Sequence, residues 1–206
     1  VDIQVHNSDA RNISTQYPEQ TDLILTSPPY INVFNYHQNY RAVTESFGYD
    51  ILGVAHSEFG SNRKNRGNRL LTVVQYCLDM ESSINSFCHT LKDNGKLVMV
   101  VGRESNVRKT PFYNGEIVEE LITKMGGYGF IGKEERSFSN KFGQLIFEDI
   151  LIFEKTKNDL PIPKNAFSIA EKHLKRAEQI APNEVLGDFK DVLVKLNQVK
   201  PSPIFK

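Results

Sequence analysis

A short run of residues near the start of the chain combines fixed carbonyl groups with an aromatic ring. Ser27, Pro28, Pro29 and Tyr30 directly follow the apolar run TDLILT. A residue that precedes proline is held in an extended conformation, so the carbonyl groups of this run have fixed directions. The Ser27 hydroxyl and the Pro28 carbonyl could accept both hydrogens of an NH₂ group on a flat substrate, while Tyr30 stacks on its ring. The run therefore predicts a site for a planar amine.

The same hydrogen bonds would change the reactivity of that amine. With both amino hydrogens held, the nitrogen lone pair is less delocalised into the ring and is placed to attack a methyl donor in line. The run could instead form only a rigid loop after an edge strand. In open α/β sheets, however, ligands bind beyond the carboxyl ends of the strands, which is where Ser27–Tyr30 would lie.

The elements that must position this run are predicted from the pattern of apolar residues. They are, in order, a strand at 1–6, a strand at 21–26, a helix at 68–91, a strand at 96–102, a helix at 115–125 and two strands between 130 and 155. Gly95 is expected to end the first helix in the left-handed conformation, and GGYG to end the second. This order predicts an α/β sheet with an antiparallel edge hairpin.

The composition changes near residue 158, where NDLPIPKN has the character of a linker. Two charged amphipathic stretches follow, at 168–180 and 183–199. We therefore expect one domain over 1–157 and a small helical C-terminal appendage over 158–206.

Composition and cysteine usage exclude several classes of protein. The chain has 206 residues, 39% of them hydrophobic and 24% charged, which is enough for one folded core. We expect no membrane span, because no apolar run approaches the ~20 residues required, and no signal peptide pattern, so we expect a cytoplasmic protein. The two cysteines and five scattered histidines predict no disulfide framework and no metal site.

Basic residues are concentrated in one polar segment on a chain of zero net charge. SNRKNRGNR places Arg63, Lys64, Arg66 and Arg69 among asparagines and a glycine. A solvated loop is one interpretation, and contact with DNA phosphates or guanine is the other. Arg103, after the third predicted strand, could form an ordinary ion pair or contact a substrate.

The segment DLILTSPPY resembles the catalytic motif of the DNA amino-methyltransferases, which have Asp, Asn or Ser before Pro-Pro and an aromatic residue. NSDARN, SEFGSNRKNRGNRLLTVVQYCLDM, KLVMVVGRES and ERSFSNKFGQLIFEDILIF are similar to other segments of one bacterial branch, so the resemblance covers most of residues 1–155. It implies a Rossmann-like sheet, S-adenosylmethionine as cofactor and double-stranded DNA as partner. The expected reaction is methylation of a flipped cytosine at N4, in a bacterial restriction–modification system.

The resemblance also assigns individual residues. Ser27, Pro28, Pro29 and Tyr30 would be catalytic, and Asp9 with Ala10 would bind the adenine of the cofactor. Asp9 could alternatively be a helix N-cap or turn residue, since NSDARN is rich in such residues. Both cysteines fall on the apolar stripe of the long predicted helix, which argues against the exposed nucleophile that methylation at cytosine C5 requires.

One part of the family pattern is missing from this sequence. These enzymes normally carry a Phe-x-Gly-x-Gly turn that approaches the methionine part of the cofactor, and the glycines of MGGYGF follow a helix instead of a strand. We therefore expect an N-terminal half, or another chain, to supply that turn. Adenine N6 is the alternative target, a non-catalytic DNA-binding or assembly subunit is the alternative class, and RNA is a third possibility.

Overall fold

The protein consists of a mixed sheet with helices between its strands along the chain. The computed structural model describes residues 3–32, 36–59, 65, 67–157 and 159–204. The strands are β1 (Thr21–Thr26), β2 (Leu91–Gly102), β3 (Ser105–Val107), β4 (Thr110–Phe112), β5 (Tyr128–Ser139) and β6 (Leu145–Lys155). The α-helices are α1 (Tyr36–Asn39), α2 (Arg41–Ser46), α3 (Ile51–Ser57), α4 (Leu71–Thr90), α5 (Asn114–Met125), α6 (Ala166–Glu178) and α7 (Leu186–Lys195). Short 3-10 helices cover Ala10–Thr15, Asn183–Val185 and Leu196–Gln198.

The main sheet has the strand order β1-β2-β6-β5. β1 and β2 are parallel, and β6 is antiparallel to both β2 and β5. Strands β3 and β4 form a separate two-stranded sheet. The predicted α/β fold with an antiparallel edge hairpin and C-terminal helices is confirmed.

The core lies on one face of the sheet, where α4 and α5 pack. β2 contributes Leu97, Met99 and Val101, which alternate along the strand as period-2 side chains must. β6 contributes Leu151 and Phe153 to the same cluster. The apolar stripe predicted for the long helix is confirmed, since its members on α4 and beside its ends are buried or partly buried in this core: Leu70, Val74, Cys77, Leu78, Ile84, Phe87, Cys88 and Leu91.

The opposite face of the sheet is apolar but is much less covered. We call it the outer sheet face; it consists of Leu23, Leu25, Val98, Val100, Ile150 and Ile152. Leu23 is 53% exposed and Leu25 is 68% exposed, while the residues on β2 and β6 are half-buried. Parallel strands are normally buried on both faces, so the exposure of β1 is unusual.

Two expectations about local structure are wrong. Residues 3–6 form no strand, and their apolar members Ile3 and Val5 are exposed, with no neighbouring strand among the described residues. The long helix ends at Thr90, and Asn94 instead of Gly95 has a left-handed backbone with φ of 63°. The chain therefore changes direction within the irregular start of β2 and not at the end of the helix. There, a Cβ on Gly95 would come within 2.8 Å of the Lys92 carbonyl oxygen.

The C-terminal helices pack on the same core as α4 and α5. Ile169, Ala170 and Leu174 of α6 are fully buried in it. The start of α6 is held by Glu81 of α4, whose Oε1 accepts hydrogen bonds from the backbone N–H groups of Asn165 and Ala166. The division into domains at residues 157 and 158 stays a prediction. No helix in the described part of the chain has the length and apolar character needed to cross a membrane.

Candidate active site

Ser27–Tyr30 lies beyond the carboxyl end of β1, as the sequence predicts. Thr26, the last residue of β1, is paired with Met99, and the Tyr30 ring lies over Gly102 at the end of β2. An ideal Cβ on Gly102 would come within 2.6 Å of the Tyr30 ring. Only glycine leaves room for the ring at this position. The Ser27 side chain is exposed, and the two prolines and Tyr30 are half-buried.

The phenol of Tyr30 is held by a carboxylate on a different strand. Its hydroxyl donates a 2.7 Å hydrogen bond to Oε1 of Glu148 on β6. Burial raises the pKa of Tyr30, and the hydrogen bond to the Glu148 carboxylate raises it further. The hydroxyl is therefore a neutral donor at physiological pH.

Asn114 at the start of α5 joins the catalytic run to the end of β2. Its Oδ1 accepts a hydrogen bond from the Ile31 backbone N–H, and its Nδ2 donates to the Gly102 carbonyl and to Ser105 Oγ. Asn114 and Ile31 are both fully buried. The backbone that follows Tyr30 is therefore fixed, since a buried polar group without its partner would cost about 1–3 kcal/mol.

Arg103, the residue after Gly102, forms ion pairs with protein carboxylates. It contacts Asp149 at 3.0 Å and also pairs with Glu135, and its guanidinium lies over the Phe147 ring. Asp149 is buried beside Gly115 in the first turn of α5 and also pairs with Lys133. The ion-pair interpretation of Arg103 is therefore the one that the structure supports.

Asp9 is the N-cap of the 3-10 helix Ala10–Thr15. Its Oδ1 accepts hydrogen bonds from the backbone N–H and Nε of Arg11, and its Oδ2 accepts one from Arg11 Nη2. The hydrogen bonds from the Arg11 side chain hold the pKa of Asp9 below its ordinary value. Ala10 is half-buried against the core. The capping interpretation thus describes the geometry, and the cofactor role of Asp9 and Ala10 stays a prediction.

Arg11 connects Asp9 to a buried carboxylate and to the C-terminal segment. Its Nη1 donates to Asp79 Oδ1 of α4 and to the Ser202 carbonyl oxygen. Ser202 in turn donates to Asp79 from its backbone N–H and its hydroxyl. Despite these three donors, burial raises the pKa of Asp79 to about 6.

A stripe of polar residues on α4 could have predicted this hydrogen-bond network from the sequence. Polar residues recur at helical spacing within the otherwise apolar helix, and all of them are buried: Thr72, Gln75, Asp79, Ser83, Ser86 and Thr90. Ser86 accepts a hydrogen bond from the Ser14 backbone N–H of the 3-10 helix, as Asp79 does from Arg11. A polar stripe on a buried helix indicates a polar neighbour.

Most of the predicted DNA-binding residues lie outside the described part of the chain. Arg63, Lys64 and Arg66 belong to that group. Arg69 is described and is half-buried, two residues before the start of α4. Tyr36 and Tyr40 are exposed and stack on one another, with ring centroids 6.5 Å apart.

The predicted residues Tyr30 and Asp9 belong to two separate groups of contacting side chains. Tyr30 belongs to one group with Gly102, Asn114 and Glu148, and Asp9 belongs to another that is held against α4. Among the described residues, no cluster of three His, Cys, Asp or Glu side chains could hold a metal ion. The sequence did not single out Gly102, Asn114 or Glu148, because their relation to Tyr30 depends on strand register.

The contact between Tyr30 and Gly102 predicts a local effect of a single methyl group. Gly102→Ala would bring its Cβ to 2.6 Å from the edge of the Tyr30 ring, so we expect a loss of about 1–3 kcal/mol in the free energy of unfolding. Gly132→Ala on β5 is the matched control, since nothing lies within 4 Å of its Cβ position. Urea denaturation of both variants gives the measurement, and equal stability of the two would contradict the contact.

Asp79 predicts a pH dependence of stability. Its pKa of about 6 in the folded state lies above the ordinary value of 3.8, so its contribution is full below about pH 4 and is lost as the pH rises through about 6. Asp79→Asn cannot ionise. The free energy of unfolding of the wild type, relative to this variant, should therefore fall by about 2 kcal/mol between about pH 4 and pH 7.

Urea denaturation of both proteins across this pH range measures the difference. Glu154→Gln, which changes an exposed carboxylate on β6, serves as the control. A difference between wild type and Asp79→Asn that does not vary with pH would contradict the raised pKa of Asp79.

Comparison with known proteins gives only a distant likeness. No protein-family model and no curated protein sequence matches the chain. A protein of Thermus thermophilus, provisionally named a DNA modification methylase, aligns with 87% of this chain at 17% identity and a TM-score of 0.44. This chain spans 60% of that protein's length.

Two further structures show the same level of likeness or less. The Thermus protein complexed with S-adenosyl-L-methionine gives a TM-score of 0.44 at 17% identity, over 87% of this chain and 62% of that one. A SAM-dependent methyltransferase of Methanosarcina mazei gives a TM-score of 0.31 at 16% identity, over 42% of this chain and 55% of its own. At such scores the likeness assigns no activity to this chain.

Proposed function

We propose that this chain is the catalytic part of a DNA methyltransferase that transfers a methyl group from S-adenosylmethionine to N4 of a flipped cytosine. The observation that carries the proposal is the construction of the Ser27–Tyr30 site. Two acceptors on a proline-stiffened backbone stand beside an aromatic ring that Gly102, Glu148 and Asn114 hold at the carboxyl edge of the sheet. A planar ring with an exocyclic amine is the substrate class that fits such a site.

The residues of this chain would act mainly by positioning the amine. The Ser27 hydroxyl and the Pro28 carbonyl accept its two hydrogens, Pro29 keeps the backbone extended, and Tyr30 stacks on the base. Once the nitrogen carries the methyl group it gives up one proton, and the exposed Ser27 hydroxyl can pass that proton to water. No covalent enzyme intermediate is needed, which agrees with the burial of Cys77 and Cys88.

S-adenosylmethionine, when bound, supplies a methyl group on a positively charged sulfur that leaves as a neutral thioether. The Asp9 carboxylate could hold the adenine of the cofactor. It is partly exposed, and its three described hydrogen bonds leave it able to accept a further one. Ala10, directly beside it, offers a small side chain for close approach. The glycine-rich turn for the methionine part is not in this sequence.

A second polypeptide segment is proposed to supply that turn. The free edge of β1 pairs with no strand among the described residues, and Leu23 and Leu25 expose apolar side chains beside it. A parallel strand with its crossover helix would cover both the edge and the outer sheet face. We propose that this segment is either an N-terminal half of the protein or a partner chain.

Double-stranded DNA is proposed as the macromolecular partner. The basic run that contains Arg63, Lys64, Arg66 and Arg69 provides the charge for phosphate or guanine contacts. Arg69 lies near the start of α4. The end of α4 is hydrogen-bonded to the segment that leads into β1, so the helix and the strand run in opposite directions. Arg69 therefore lies toward the edge of the sheet where β1 ends. A bacterial cytoplasmic restriction–modification system is the setting that we propose.

Two alternatives to cytosine N4 follow from the same site. Adenine also presents a planar ring with an exocyclic amine, so methylation at adenine N6 would use the same residues in the same roles. The missing glycine turn favours a different class, a non-catalytic DNA-binding or assembly subunit. Against this class, a non-catalytic subunit would have no use for the two fixed hydrogen-bond acceptors of Ser27 and Pro28.

The proposal predicts methyl transfer that depends on the catalytic run. We expect labelled methyl groups to pass from S-adenosylmethionine to mixed-sequence duplex DNA, with the segment that carries the glycine turn present, and to appear as N4-methylcytosine. Tyr30→Ala and Pro28→Ala should lower the rate about 100-fold, because the first removes the stacking ring and the second releases the backbone that orients the accepting carbonyl. Tyr49→Ala and Pro18→Ala, at exposed positions elsewhere in the structure, are the matched controls.

The products distinguish the alternatives. Label on adenine would keep the mechanism and change the target, and label on RNA alone, in a parallel reaction that offers RNA, would replace the DNA assignment. If S-adenosylmethionine and DNA both bind but no label is transferred, the enzyme assignment is wrong and the binding subunit remains.

The exposed edge of β1 predicts where the second segment binds. Leu25→Lys places a charge on the outer sheet face, so we expect it to weaken association with a polypeptide encoded beside this chain that carries a strand–Gly-x-Gly–helix pattern. Leu160→Lys, at an equally exposed leucine away from the sheet, is the control. Calorimetric titration measures both. Equal affinity for the two variants would place the segment elsewhere.

A further inference from the structure

We propose that Glu148 is a positioning residue for Tyr30, which it holds through the phenolic hydroxyl with Arg136 as its counter-ion. The contact itself is a property of this chain. Its consequence for methyl transfer rests on the function proposed above.

The two residues that contact the Tyr30 side chain form one row across the sheet with the counter-ion Arg136. Gly102 of β2 is the register partner of Glu148 on β6, and Glu148 is the register partner of Arg136 on β5. Register partners in antiparallel strands point to the same face. The Tyr30 ring lies over Gly102, its hydroxyl reaches Glu148 Oε1, and Arg136 Nε donates to Glu148 Oε2. Because Gly102 has no side chain, it leaves the space that the Tyr30 ring occupies.

Both oxygens of the Glu148 carboxylate have a defined partner. The residue is only 6% exposed, so an ionised carboxylate there requires donors. Arg136 supplies the compensating charge and Tyr30 supplies a neutral donor. Loss of either partner would leave an oxygen of a buried carboxylate without a hydrogen bond.

Glu148 restricts the side chain of Tyr30, which Ser27–Tyr30 itself leaves free to rotate. Pro28 and Pro29 restrict the backbone, and Asn114 holds the Ile31 N–H, but none of them restricts the side-chain torsions of Tyr30. A ring that must stack on a target base needs one plane and one height. The hydrogen bond at its far end fixes the position of the hydroxyl, and the close packing of the ring on Gly102 restricts its plane.

A merely structural role would predict something different. In that case Glu148 and Arg136 would form an ion pair that stabilises the β5–β6 hairpin, and Tyr30 would be incidental. The charged and titratable groups that face the Tyr30 phenol are Glu148, Arg136, Ser27 and, more weakly, Tyr76. Removal of the Glu148 charge should therefore change the ionisation of Tyr30 only if the contact exists.

The experiment compares Glu148→Gln and Glu148→Ala with Glu154→Ala. Glu154 lies on the same strand and the same face, in an exposed ion pair with Lys96, and is a matched control. NMR of the protein with ¹³C-labelled tyrosine rings, with Tyr30 assigned through Tyr30→Phe, follows the phenol through its titration. We expect the pKa of Tyr30 to fall in both Glu148 variants and to be unchanged in Glu154→Ala.

The second readout is the rate of methyl transfer. We expect Glu148→Ala to lower kcat about tenfold with the affinity for S-adenosylmethionine unchanged, and Glu148→Gln to recover much of the rate, because its amide oxygen can still accept from Tyr30. Tyr30→Phe and Glu148→Ala should be non-additive in combination, since both remove the same hydrogen bond.

The outcomes separate this inference from the proposed function. An unchanged Tyr30 pKa in Glu148→Ala, or full additivity with Tyr30→Phe, would overturn the positioning role even in an active enzyme. If the wild type transfers no methyl group under any condition, the proposed function fails, and the NMR titration alone decides whether Glu148 holds Tyr30. Thermal unfolding of Glu148→Gln near that of the wild type would confirm that its effects are local.

Discussion

Parallel pairing of β1 with β2 is the constraint from which the candidate site follows. Because the two strands run in the same direction, their carboxyl ends meet at one edge of the sheet, with Thr26 beside Met99. The residues that continue from β1 must then cross the end of β2. Tyr30 does so over Gly102, where the strand has no side chain to obstruct it. An antiparallel arrangement would have separated these residues by the length of the sheet.

Helix α4 supports both groups of predicted residues because it has two buried faces of different character. Its apolar stripe packs with β2 and β6 in the core. Its polar stripe, which includes Asp79 and Ser86, meets the 3-10 helix that Asp9 caps and the segment around Ser202. The helix thereby fixes the position of Asp9 relative to the strands.

The sequence was informative where local chemistry decides the structure. The apolar run before two prolines located Ser27–Tyr30, and helical periodicity located α4 and α5. It was less informative where register decides, because Glu148 and Arg136 meet Tyr30 only through the pairing of four strands. Local signals also failed when their neighbours were absent: residues 3–6 alternate like a strand but have nothing described to pair with. Asn94 adopts the left-handed backbone that the sequence predicted for Gly95, because either residue type can adopt this conformation.

The hydrogen bond between Arg11 and Ser202 has a consequence for the order of events during synthesis. The two residues are separated by 191 positions in the chain. At a typical synthesis rate of roughly 5–20 residues per second, Arg11 leaves the ribosome about 10–40 s before Ser202. During that interval Asp79 lacks both Ser202 donors, and the segment around Asp9 is attached to α4 by fewer bonds. Ser202 thus completes the environment of Arg11 and Asp79 only after the 190 residues between Arg11 and Ser202 have been made.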